Sequence, residues 1–123
     1  MDKDIKTDKI ISEEEIIEMA KVITKDSKFF DMLVRGRFSF VYFIRCNEFV
    51  KIGFSTNNLI KRFEAIQCGN PYKLELEFIM PGGKIEEGEL HKKFKHIKKR
   101  GEWYILTKKE VEKIVTDYLF NRK

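Results

Sequence analysis

The stretch from Phe38 to Ile44 places Phe38, Phe40, Tyr42 and Ile44 on one side of an extended chain and Val41 and Phe43 on the other. A period of two is the signature of a β-strand, here with apolar residues on both of its sides. Cys46-Asn47-Glu48 turns the chain, and Phe49 to Phe54, containing Val50 and Ile52, returns as a hairpin partner. Gly53 inside that second strand has no side chain to pack, so it marks a bulge or a close backbone approach.

Helical signals flank the hairpin. Ser12-Glu13-Glu14-Glu15 reads as a capping box. Ile16, Ile17, Ala20, Val22 and Ile23 follow at helical spacing, predicting a helix over about 13–25. Asp26-Ser27 can cap a second stretch that holds Phe29, Phe30, Met32 and Leu33 and ends at Gly36. After the hairpin, Ser55-Thr56-Asn57-Asn58 offers several N-caps for a helix to about Gln67, stopped by Gly69-Asn70-Pro71. A third strand is expected over Leu74–Met80, broken by Pro81-Gly82-Gly83. A basic helix over about Lys84–Lys99, a short extended segment over Gly101–Leu106 and a last helix capped by Thr107 complete the chain. The order ααββαβαβα argues for a small α/β (α+β) sandwich: an antiparallel sheet led by a hairpin, flanked by helices.

At 123 residues, with 42% hydrophobic and 13% aromatic content, the chain is long enough for one packed domain. The division expected is a helical extension over 1–36 and a main domain over 37–123. The apolar runs fall far short of the ~20 residues of a membrane helix, and the mixed-charge start shows no secretory signal. Cys46 and Cys68 have neither metal-ligand spacing nor the number for a disulfide scaffold. A reduced, cytoplasmic protein is the expectation. The net charge of +5 divides unevenly: residues 1–35 carry 7 basic and 9 acidic groups, net −2, leaving 18 basic and 11 acidic elsewhere, net +7. The densest block holds Lys92, Lys93, Lys95, Lys98, Lys99 and Arg100 without an acid. It suits a phosphate backbone, or a solvated helix face.

Polar residues on apolar stripes are more informative, because burial must be offset by a partner or a function. At 100° per residue, Arg62 borders the stripe of Leu59, Phe63 and Ile66. It either snorkels from the core edge or aims its planar fork at a phosphate. Glu87 and His91 lie one turn apart on the stripe that holds Leu90 and Phe94. Such a pair can share a metal, a water or a phosphate, or be a first-turn acid beside a core histidine. Tyr42 sits among apolar strand residues, where its hydroxyl must be satisfied.

Taken together, Phe40-Val41-Tyr42, then Lys51-Ile52-Gly53, Arg62, Gly69-Asn70-Pro71, Glu87-x-x-Leu90-His91-x-x-Phe94 and Gly101-Glu102-Trp103-Tyr104 resemble the GIY-YIG nuclease superfamily. They are most similar to its branch with KIG as second motif, found in phage open reading frames and meiotically up-regulated gene products. The resemblance covers about residues 38–106. It implies a GIY-YIG-like fold and a DNA endonuclease using one divalent cation, Mg²⁺ or Mn²⁺. It implies Glu87 as metal ligand, Arg62 on the scissile phosphate, Tyr42 activating or orienting water, and His91 positioning or protonating near the phosphate. Lys51 stands where many relatives have a tyrosine, and the Asn that many place after the metal-binding Glu has no evident counterpart. Lys92, Lys95, Lys98, Lys99 and Arg100 would track the DNA backbone. The alternative is a catalytically inactive nucleic-acid-binding or protein-interaction module on the same scaffold, with residues 1–35 as a docking or self-association arm.

Overall fold

A computed structural model describes residues 11–24, 27–35, 39–56 and 58–121, with the backbone alone at 99 and 118–121. The elements are α1 (Glu13–Ile23), α2 (Ser27–Arg35), β1 (Phe40–Cys46), β2 (Phe49–Ser55), α3 (Leu59–Cys68), β3 (Glu75–Pro81), α4 (Lys84–Lys93), a 3₁₀ turn (Lys95–Ile97), β4 (Lys98–Arg100), β5 (Trp103–Ile105) and α5 (Lys108–Asn121). Expectations that rest on Lys25, Asp26, Gly36, Phe38 or Asn57 lie outside the described residues. Among the described residues, no helix is long and apolar enough to cross a membrane.

The strands form one five-stranded antiparallel sheet in the order β3-β1-β2-β5-β4. Strand β1, paired on both sides, is buried along its whole length, and its alternation sorts the core into two layers. Phe40, Tyr42, Ile44 and Cys46 join Leu59, Ile60 and Phe63 of α3 on one face, together with Ile16 and Ala20 of α1 and Leu33 of α2. Val41 and Phe43 join Val50, Ile52, Tyr104, Val111 and Ile114 on the other, where Leu90 and Phe94 pack at the margin. Each large apolar side chain so buried contributes roughly 1.5–3 kcal/mol. The α+β sandwich expected from the period-two pattern is thus the observed architecture, and the first two helices share the core of the α3 face.

Local chemistry explains the boundaries. Asn47, with φ 58°, occupies the left-handed region that asparagine tolerates and closes the hairpin. Ser12 and Glu15 bond reciprocally at the start of α1, as do Thr107 and Glu110 at the start of α5. Asn58 caps α3 by accepting from the Lys61 amide at 2.8 Å. In β3 the pairing with β1 skips Glu77, a bulge that keeps Leu76 and Ile79 on one face and Phe78 and Met80 on the other.

The basic helix expected over Lys84–Lys99 is shorter. α4 ends at Lys93, and a 3₁₀ turn carries the chain into β4, which pairs with β5 as a hairpin. Phe94 and Ile97, three residues apart, both reach the core from that turn. Gly101, at φ +58°, closes the β4–β5 turn in a conformation that few other residues accept, and so presents Glu102 at its tip.

Candidate functional site

The sheet narrows on one side. β5 pairs with β2 only from Phe49 to Lys51, ending with the Ile52 amide bonded to the Glu102 carbonyl at 3.0 Å. Beyond that point β2 continues to Ser55 without a strand neighbour on that side among the described residues. Side chains from both layers meet there, in a cleft of about 350 Å³ lined by Tyr42, Lys51, Phe54, Ser55, Thr56, Arg62, Glu87 and Glu102.

Tyr42 comes from the middle of β1, opposite Gly53. Its ring lies over that glycine: a Cβ at 53 would stand 2.7 Å from Tyr42 Cζ and 3.1 Å from Glu102 Oε1. The close approach expected at Gly53 is therefore made by the phenol. Burial, with Glu102 and Glu87 nearby and only partly opposed by Arg62, pushes the Tyr42 hydroxyl up to about 12. Arg62 projects from α3 with its guanidinium carbon 6.0 Å from the Tyr42 ring centre, and its buried Nε has no hydrogen-bond partner among the described residues. An unmatched buried donor on a cation is costly, and an acceptor or an anion would offset that cost.

Glu87 and His91 face the cleft margin from α4, with His91 Nε2 3.5 Å from Glu87 Oε2. The other ring nitrogen, Nδ1, is hydrogen-bonded to the Tyr104 hydroxyl. Burial foremost, then the Glu102 carboxylate, raises Glu87 above the usual carboxylate range, against the opposing effect of His91. Burial foremost, then Glu102 and Glu87, likewise raises Tyr104. Glu102 itself bonds Lys51 Nζ at 2.9 Å. One ligand atom each from Glu87, His91 and Glu102 lies within 4.8 Å of the others. Two carboxylate oxygens and an imidazole nitrogen are a donor set that fits one divalent cation.

Five residues singled out in the sequence, Tyr42, Lys51, Arg62, Glu87 and His91, therefore converge from four elements. The basic block does not join them: Lys92, Lys95, Lys98 and Arg100 are exposed along the end of α4, the 3₁₀ turn and edge strand β4, outside the cleft lining. Sequence reasoning gave Glu102 and Tyr104 no role in the site. Both stand in the Gly101-to-Tyr104 motif, but an acid beside a turn glycine carries no local signal of its partner on β2.

Residues 39–119 match the model of the T5orf172 domain, and the chain belongs to the T5orf172 domain family. This is a GIY-YIG-like, phage open-reading-frame domain family, compatible with nuclease and DNA-binding roles. The match runs from just before β1 into α5, so every cleft residue falls within it and α1 and α2 precede it. No curated protein and no solved structure matches the chain.

Proposed function

We propose that this T5orf172 domain is an endonuclease that hydrolyses a DNA phosphodiester with one divalent cation, Mg²⁺ or Mn²⁺. The observation that carries the reading is the cleft that brings together an arginine with an unpartnered buried Nε, two carboxylates and a buried phenol. The KIG form of the second motif, Lys51-Ile52-Gly53, supports a place in the branch that shares it.

Arg62 is placed to take two phosphate oxygens, binding the scissile group and offsetting the charge that grows on it in the transition state. Tyr42, its hydroxyl pushed up to about 12 in the cation-free cleft, offers a protonated phenol that can orient the attacking water by hydrogen bonding. Lys51 adds a second positive charge to the same cleft and keeps Glu102 turned inward. Glu87, with His91 and Glu102 beside it, would hold the cation, which when bound polarises the phosphate and the leaving oxygen. Lys92, Lys95, Lys98 and Arg100 offer the flanking DNA backbone a basic edge, each neutralised phosphate releasing counterions.

The test is nicking of supercoiled plasmid by the purified chain with Mg²⁺ or Mn²⁺. Arg62→Ala and Glu87→Ala should each lower the rate by about 10²-fold or more. No cleavage by the parent chain, or equal cleavage by both variants, would sink the reading. A second reading, DNA binding without cleavage, is favoured by the exposure of the basic edge outside the cleft. It predicts salt-sensitive DNA binding that survives Glu87→Ala and needs no metal.

A further inference from the structure

Glu102 has no part in the roles implied by the sequence motifs, yet it is the second carboxylate of the cleft. It rides on the tip of a two-residue turn set by Gly101, and its Oε1 is occupied by Lys51 Nζ. Its other neighbours are Glu87 and His91, with one ligand atom of each of the three within 4.8 Å of the others. The His91 ring is braced from behind by the Tyr104 hydroxyl. A hydroxyl can donate or accept, so the same brace serves both tautomers of the ring. With Tyr104 donating to Nδ1, Nε2 carries a hydrogen toward Glu87. With Tyr104 accepting from Nδ1, Nε2 presents a bare lone pair. A second partner that fixes the ring while freeing the ligating nitrogen is the arrangement found behind metal-bound histidines.

We propose that the cation is gripped by three side chains, Glu87, His91 through Nε2 and Glu102, and that Lys51 is the counter-ion that holds Glu102 until the cation displaces it. This rests on the metal-dependent reading above and extends it from one ligand to three. Donor atoms around a cation at about 2.0–2.2 Å stand roughly 3–4.4 Å apart, so three ligand atoms already within 4.8 Å of one another draw together when the cation enters between them. Two consequences distinguish this site from one built on Glu87 alone. A nitrogen donor favours Mn²⁺ over Mg²⁺, which prefers an all-oxygen shell. Lys51 also competes with the cation for Glu102, so removing the ammonium should strengthen metal binding even though it removes a cleft residue.

The experiment uses the full chain without DNA, stripped by chelator and titrated with Mn²⁺ while free Mn²⁺ is followed by its electron paramagnetic resonance. Expected are one site, Mn²⁺ at least about tenfold tighter than competing Mg²⁺, and a directly bound nitrogen in the pulsed spectrum. Glu102→Gln and His91→Gln should each weaken Mn²⁺ by about tenfold or more, and Lys51→Met should tighten it severalfold. Thermal melts in chelator show that each variant is folded, and the nitrogen signal of the parent needs no variant at all. The inference is overturned by Mn²⁺ binding without nitrogen coupling, by unchanged affinity in Glu102→Gln, or by weaker binding in Lys51→Met. Plasmid cleavage with binding that depends on Glu87 alone would leave the nuclease reading intact and this inference lost. A three-ligand site in a chain that cleaves nothing would do the reverse.

Discussion

Tyr42 and Gly53 stand directly opposite each other on β1 and β2, and the phenol occupies the space that any side chain at position 53 would need. Glycine at 53 is therefore a requirement of the cleft, set by the tyrosine rather than by the strand. The Gly53→Ala variant should push the ring off its place and shift Glu102 with it. Overpacking of this kind costs roughly 1–3 kcal/mol. The plasmid-nicking rate should fall by about 10²-fold, since a displaced orienting group loses the near-attack geometry. Denaturant melts and nicking assays read the two effects separately. A variant with full activity would show that the phenol's position is unimportant.

The phenol also predicts a pH dependence of stability. Its folded value, about 12, lies above the ordinary 10, so the folded state holds the proton more tightly than the unfolded chain does. This favours folding fully below pH 10 and fades as pH rises from 10 toward 12, where the unfolded chain ionises first. Two units correspond to about 2–3 kcal/mol at the upper end. Urea midpoints at pH 9 and pH 11 should diverge more for the parent than for Tyr42→Phe. Between pH 6 and 9 the nicking rate should show no inflection that disappears in Tyr42→Phe.

Much of this was legible in the sequence because the signals are periodic or local. Alternation in β1 sorted Phe40 and Tyr42 from Val41 and Phe43, and the caps at Ser12, Asn58 and Thr107 are read from two or three neighbours. Strand β4 was not legible: Lys98-Lys99-Arg100 carries no apolar pattern, and its pairing follows from the turn at Gly101 and the short β5 beside it. The Glu77 bulge depends on how β3 registers against β1, which no local pattern encodes. Arg62, Glu87 and His91 were visible as polar groups on apolar stripes. Glu102 was not, because it meets Lys51 across 51 residues of chain.

Under the proposed nuclease reading, Glu87 exchanges stability for function. Its carboxyl is raised by burial and by Glu102, so the cation-free folded state resists its ionisation. The folded state is favoured most below the ordinary carboxylate value and loses that advantage as pH rises through the raised one. At neutral pH the Glu87→Gln variant should therefore melt higher than the parent in chelator. The same change should lower nicking by about 10²–10³-fold and remove the stabilisation that added Mn²⁺ gives the parent. A lower melting point for the variant in chelator would show that the carboxylate is held by compensating bonds rather than strained by its neighbours.

Away from the cleft, Arg45 on β1 and Glu77 at the β3 bulge form an ion pair whose side chains are 9% and 8% exposed. Arg45 Nη2 and Glu77 Oε1 are buried without partners among the described residues. Arg45 also donates to the Asn47 carbonyl at 3.0 Å, tying the pair to the hairpin turn. Desolvating both charges offsets most of their attraction, so the pair adds little net stability over an apolar substitute. Breaking it is another matter, since the survivor stays buried and unpaired. Glu77→Ala should cost about 3–5 kcal/mol, and the double variant Arg45→Met/Glu77→Leu should recover most of that loss. Denaturant unfolding of the two singles and the double closes the cycle. A Glu77→Ala cost below about 1 kcal/mol would mean that Arg45 finds water or a new partner once the carboxylate is gone.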